Sequence, residues 1–310
     1  MMVTGEVHTG LLQHSVALTP DGATALLDLV PGEPVRRSHR PLSRAQSPEL
    51  LTGVDCEIPV AGKATRAVGT VLSRAVITGG HVLQGSAFAH IADSPAPRRL
   101  SWPHYLSRPG RVELLTARSD DALAEGLLAG PRHDGQLRLS AIGDHAYKNV
   151  LRSDRLDRRP PLRLPVTRLS WVAREVSGSE PAGLHLTVRR SHHRTLLIRQ
   201  PDLAVSDVTV LCEDIAYHDW LLSSVISLVA QARIGGADRD ATITRLKPVV
   251  DHLLHLWMPA AHCNGAMRQR WRDLERTPGF SRQWTALVNR IRDQLTLAML
   301  GRTSRASSPF

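Results

Sequence analysis

Two carboxylate–imidazole pairs are the residues of this chain best suited to chemistry. Asp214 and His218, in CEDIAYHDWLL, are four apart, which on a helix stacks them one turn from each other. Asp214 can then hold one imidazole nitrogen and leave the other for a proton or a metal ion. Asp207 lies further back along the same line. Asp251 and His255, in VVDHLLHLW, repeat the spacing with His252 between them. Two helices that each offer a carboxylate and an imidazole are raw material for a bundle metal site, with Asp214, His218, Asp251 and His255 as ligands.

The same residues have a plainer use. At about 100° per residue, His218 falls within the apolar face of Leu211, Ile215, Leu222, Val225, Ile226 and Val229. A hydrogen-bonded pair there locks packing without reacting. The Glu-x-x-His of helical di-metal sites is absent, and Asp251 and His255 lie off their own helix's apolar stripe. Asp214 and His218 are therefore candidates to which no reaction is assigned, and no cofactor is expected.

Other catalytic signatures fail. VAGKAT at 60–65 has a Gly-Lys, but Ala64 follows where a phosphate loop needs Ser or Thr, and Glu57 replaces its leading glycine. No GxSxG, HExxH or GxGxxG occurs, and Cys56, Cys212 and Cys263 form neither a CxxC pair nor a zinc spacing. The balance of motifs goes against an enzyme.

Charge is concentrated. The net charge is +10, and residues 148–199 hold 12 basic groups against 4 acidic ones. Arg158, Arg159, Arg189, Arg190 and Arg194 are its densest points and the candidates for an anion or a partner. Arginine suits both, being a bidentate ligand for phosphate and carboxylate and weakly hydrated enough for interfaces. Single-stranded nucleic acid is disfavoured, because Trp171 is the only aromatic residue in that segment and base stacking needs several.

The elements that must position these groups change character near residue 200. Before it, the pattern is of strands with a few short helices. Val7–Ala17 reads as a strand, Pro20–Val30 as a helix, and residues 31–50, rich in Pro and Arg, as a loop. Gly79-Gly80 joins two β-rich runs into a hairpin over 66–91 that sets Ile77 opposite Val82, Val76 opposite Leu83 and Val71 opposite Phe88. Ser119–Leu128 and Leu139–Leu151 read as helices, Leu162–Val176 as a strand, and Leu184–Arg190 with Arg194–Arg199 as a second hairpin around SHH. After Pro201 four helices follow: 201–232, 240–257, 263–275 and 281–300, punctuated by Gly235-Gly236, Pro259 and Pro278-Gly279. The fold class is α+β: a β-rich N-terminal part with hairpins and short helices, then an all-helical C-terminal part. The expected domains are 1–200 and 201–300, with 301–310 a disordered tail.

With 310 residues, 42% of them apolar, the chain can build a core. Its longest apolar run, WLLSSVISLVA, is too short to span a bilayer, and MMVTGEVHTGLLQHSV has no signal-peptide pattern. These features point to the cytoplasm and away from membranes.

GEVHTGLLQHS, LTGVDCEIP, LDRRPPLR, CEDIAYHDWLL, VDHLLHLWMP and GFSRQWTALVNRIRDQL together resemble a locus-named family of actinobacterial, streptomycete-type proteins, in an order covering about residues 5–300. The resemblance implies a cytoplasmic protein encoded in a small cluster beside a variant P-loop protein and a methyltransferase-like protein. It carries no activity and no catalytic residues. The resulting expectation is a non-catalytic interaction or accessory subunit of a multi-protein bacterial cytoplasmic system, with a protein partner drawn from the neighbouring gene products. One alternative is a metal- or His/Asp-dependent enzyme using the helical site. The other is a nucleic-acid binder working through the arginine-rich segment.

Overall fold

Gly79 and Gly80 both take positive φ, +60° and +68°, and the His81 N–H closes the turn on the Thr78 carbonyl at 3.2 Å. That is the hairpin turn a Gly-Gly pair favours. The flanking strands nevertheless pair one residue away from the expected register: Thr78 faces Val82, Ile77 faces Leu83 and Leu72 faces Phe88. His81 accounts for the slip. It stands outside the ladder as a bulge, and its carbonyl accepts instead from the Leu12 N–H at 2.7 Å.

The computed structural model describes residues 1–60, 63–116, 118–178, 180–190, 192–232 and 239–306. Gly235-Gly236 and the tip residue Ser191 lie outside them. In chain order the elements are β1 (Met2–Leu11), α1 (Pro20–Leu27), β2 (Arg36–Ser38), β3 (Arg44–Gln46), β4 (Leu50–Val60), β5 (Lys63–Thr78), β6 (Val82–Asp93), α2 (Trp102–Leu106) and β7 (Arg111–Leu114). Then come α3 (Asp120–Ala129), α4 (Leu139–Leu151), β8 (Thr167–Glu175), β9 (Gly183–Arg190) and β10 (His193–Gln200). The last are α5 (Val205–Gln231), α6 (Arg239–His252), a 3-10 turn at Leu254–Leu256, α7 (Gly265–Arg276) and α8 (Phe280–Ala306). The protein is thus α+β, and every described element after residue 200 is helical. Residues 31–50, read as loop, contain β2 and β3. Helix α8 extends into the expected tail as far as Ala306, while 307–310 lie outside the described residues. No helix among the described residues is long and apolar enough to cross a membrane.

The strands form one mixed sheet, ordered β2-β3-β5-β7-β6-β1-β8-β10-β9, with β4 also on β5. Strand β5 is long enough to serve two neighbours on each edge: β4 and β3 on one, β7 and β6 on the other. Pairing is antiparallel except at β8–β10 and β6–β7.

Alternation along β1 separates the two faces. Val3, Val7 and Leu11 turn toward α5, joining Leu169, Trp171, Leu196 and Ile198 with Leu211, Ile215, Trp220 and Leu222 in one apolar cluster. This cluster crosses the boundary expected near residue 200. Met2, Thr4, Glu6 and His8 turn to the opposite face, where α1, α3 and α4 pack. Helix α4 comes close to β6: a Cβ on Gly85 would lie 2.4 Å from the Gly143 carbonyl oxygen. Helix α5 is buried almost all round, although Ile226, placed on its apolar face by periodicity, is 43% exposed.

Candidate functional site

Asp214 and His218 do meet, but in a sealed place. The His218 Nδ1 lies 2.7 Å from the backbone carbonyl of Asp214 and 3.6 Å from its carboxylate. That carboxylate accepts the Ala260 N–H at 2.8 Å. Three rings enclose the imidazole edge-on: Tyr217 at 4.8 Å, Trp257 at 4.9 Å and Trp271 at 5.1 Å. Burial pushes the Asp214 carboxyl up and the His218 imidazole down, so both environments disfavour charge. The void beside them is about 10 Å³, room for about one water. Asp207 bonds Asn264, the N-cap of α7, at 2.6 Å.

The second pair is not formed. Helix α6 ends at His252, and the 3-10 turn after it sends His255 away from Asp251. Asp251 pairs with Lys247, while His255 and His252 face His81, with ring centroids 6.4 and 5.2 Å from it. Asp214 and His218 thus sit in one place and Asp251 and His255 in others. Among the described residues, no group of three or more His, Cys, Asp or Glu is placed to hold a metal ion.

Next to Asp214, the sequence reading passed over Glu213. Its fully buried carboxylate takes Arg74 bidentately, at 2.8 and 2.9 Å, with Arg44 at 2.5 Å and the Ser86 hydroxyl at 2.6 Å. Desolvation raises its pKa, but Arg74 and Arg44 outweigh that and hold it below the ordinary range. This network braces α5 against β3, β5 and β6 and leaves no space for a substrate.

The open site lies on the other face of the sheet. A cleft of about 870 Å³ runs between α4 and the β8–β10–β9 edge. Its floor follows from strand register. His8 pairs with Arg168, Arg168 with His193 and His193 with Arg190, which sets four basic residues in a row across β1, β8, β10 and β9. Directly paired residues share a face, so all four side chains turn into the cleft. Between β9 and β10 the pairing shifts past Arg189, and this bulge lets adjacent Arg189 and Arg190 both line the same cavity. Lys148 and Tyr147 of α4 form the opposite wall. Gly10 makes room for Tyr147, because a Cβ there would lie 2.4 Å from the phenol oxygen.

The next row, Glu6–Ser170–Thr195, supports the floor. Arg168 reaches Glu6 through Nε at 3.1 Å and His193 Nδ1 through Nη2 at 3.3 Å. Ser170 Oγ lies 3.0 Å from His193 Nε2 and donates to Glu6 at 3.2 Å. Arg168 Nη2 also lies 3.5 Å from His193 Nε2, and one tautomer satisfies the chain of contacts, because guanidinium only donates and carboxylate only accepts. Arg168 gives to Nδ1, Nε2–H gives to Ser170, and Ser170 gives to Glu6. Burial and then Arg168 push the His193 pKa down, consistent with a neutral ring. In this arrangement the histidine donates to the serine, and Ser170 and Glu6 orient His193 and Arg168 on the floor.

Of the five arginines singled out by sequence, two line this cleft. Arg189 and Arg190 are exposed and have no carboxylate partner among the described residues. Arg194 faces α5 instead, bonding Asp219 at 3.1 Å and Ser223 at 3.1 Å. Arg158 and Arg159 belong to the loop after α4, which is tied to the segment after β1. There the Arg158 N–H reaches Gln13 and the Arg159 N–H reaches Asp157. The sequence reading missed Lys148 on α4 and His8, Arg168 and His193 on the strands, and the signal of those three is polar residues recurring at one parity along a strand. No family model, curated protein or solved structure matches this chain.

Proposed function

We propose that this protein is a non-catalytic, partner-binding subunit of a multi-protein bacterial cytoplasmic system, and that the basic cleft receives an acidic segment of its protein partner. One observation carries the reading: among the described residues, four cationic side chains, Lys148, Arg168, Arg189 and Arg190, are gathered there against the carboxylates of Asp144 and Glu6. Lys148 is held by Asp144 at 2.6 Å and Arg168 by Glu6, which leaves Arg189 and Arg190 at the rim for a partner. Adjacent exposed arginines suit a protein interface, where guanidinium adds charge without the strong hydration of lysine. The Asp214–His218 pair, sealed by aromatic rings, supports a packing role.

The test is capture of partners from native extract by tagged protein, compared with an Arg189→Glu, Arg190→Glu variant. The expected result is a specific acidic protein that binds in mild salt and is lost with the variant. Capture that ignores both charge reversals would refute the reading. Salt-dependent retention of duplex DNA, lost in the same variant, would replace it with nucleic-acid binding.

A further inference from the structure

We infer that the cleft recognises a phosphate monoester, as a dianion seated between Arg168, Arg189 and Arg190. The inference rests on the partner-binding reading of the same cleft and adds the chemistry of what is bound.

Charge balance comes first. The four cations exceed the two carboxylates by two charges. A carboxylate brings one charge and two oxygens, and a single guanidinium fork satisfies it. A phosphate monoester brings close to two charges and three terminal oxygens, which matches the excess and uses more than one fork.

Donor geometry points the same way. Arg168 is ion-paired with Glu6 at 3.1 Å and sets Nη2 against His193, while its Nη1 makes no hydrogen bond among the described residues. Among the described residues, the Arg189 and Arg190 side chains make no hydrogen bond. Lys148, with one bond to Asp144, keeps its other ammonium hydrogens on the far wall. Donors thus stand on the floor, the rim and the wall of one cleft. The floor is also held in advance, because Glu6 and Ser170 orient Arg168 and His193 before any ligand arrives. The cavity, about 870 Å³, exceeds what the phosphate fills, so the group carrying it has room against Val166 and Leu151.

The phosphoryl group could be borne by a partner's side chain or by a free small molecule, and the experiment separates the two. Purified full-length protein is titrated calorimetrically with capped phosphoserine, glycerol phosphate, capped glutamate and sulfate at matched ionic strength. The expected result is at least tenfold tighter binding of a phosphate monoester than of glutamate or sulfate. In an Arg189→Ala, Arg190→Ala variant of unchanged thermal stability, that affinity falls at least tenfold. Preference for phosphoserine assigns the group to a protein side chain, and preference for glycerol phosphate assigns it to a small ester. Phosphoserine binding no better than glutamate, or unchanged in the double variant, overturns the inference. If partner capture is still lost on charge reversal, the binding reading survives that outcome. If capture ignores the reversal while phosphate esters still bind, only the binding reading fails.

Discussion

His193 and Arg194 are neighbours in the chain and serve opposite faces of the sheet. His193 turns to Ser170 and the cleft, while Arg194 turns to Asp219 of α5. The period of two in β10 imposes this division, and it separates the energetic roles of the arginines. Asp219 is buried, and burial pushes its pKa up against the pull of Arg194. Arg194→Met strands that carboxylate and should destabilise the protein by about 3–5 kcal/mol, the usual loss when one partner of a buried pair is removed. Arg189→Ala, on the exposed rim, should stay within about 0.5 kcal/mol of the parent. Urea unfolding of both variants checks this, and equal losses would contradict the division of faces.

Glu213 makes a stronger version of the same argument. Its carboxylate answers two buried guanidiniums, and Arg74 draws further on Glu49 at 3.3 Å. Glu213→Gln keeps the shape and removes the charge, so about 3–5 kcal/mol of stability should be lost. Because the folded pKa lies below the ordinary value, the stability it supplies is present above the unfolded carboxylate's pKa and is lost as pH falls through the folded one. The variant should therefore show a shallower loss of stability under acid. An unchanged acid limb would mean that Glu213 is not ionised in the fold.

Much of the fold could be read from the chain because local signals agreed with tertiary demands. Helix α4 spans Leu139–Leu151 as periodicity predicts, and Thr19 caps α1 through a 3.1 Å bond to the Gly22 N–H. The hairpin turn at Gly79-Gly80 was legible, but its register was not, since nothing local shows that His81 will leave the ladder to bond Leu12. Strands β2 and β3 were hidden because each is three residues long and neither has an alternating pattern of its own. The cleft was half legible. A cluster of arginines marks Arg189 and Arg190, whereas His8 and Arg168 become neighbours only through pairing of strands 160 residues apart. Nor could sequence show that Arg189 joins Arg190 in the cleft while Arg194 turns away, because the bulge at Arg189 breaks the alternation of β9.

The bulged His81 gives a pH dependence. Its ring is buried against His252 and His255, and desolvation first, then those two rings, push its pKa from 6.5 to about 4. His262 is likewise pushed to about 4, by burial and then by Arg44 and His218. An unfolded chain binds protons at both sites below 6.5, while the folded one refuses them until about 4. Stability from these groups is therefore complete above pH 6.5 and falls as pH drops toward 4. Unfolding midpoints measured across that window should decline, and His81→Phe should decline less steeply. A variant with the parent's slope would remove His81 as the source.

Ser170 offers the sharpest test of whether the cleft reacts. A serine activated by histidine attacks the phosphorus of organophosphonate probes and expels their leaving group, since the imidazole nitrogen accepts its proton. Here Ser170 already gives its proton to Glu6 and receives one from His193. It should stay unlabelled under conditions that label serine hydrolases, with intact-protein mass as the readout. Ser170→Ala should leave His193 and Glu6 without their shared partner and loosen Arg168, so that phosphate-ester affinity drops severalfold while the protein stays folded. A labelled Ser170 would reverse the direction of the relay and make the cleft catalytic. Unchanged affinity in Ser170→Ala would show that Glu6 alone holds Arg168 in place.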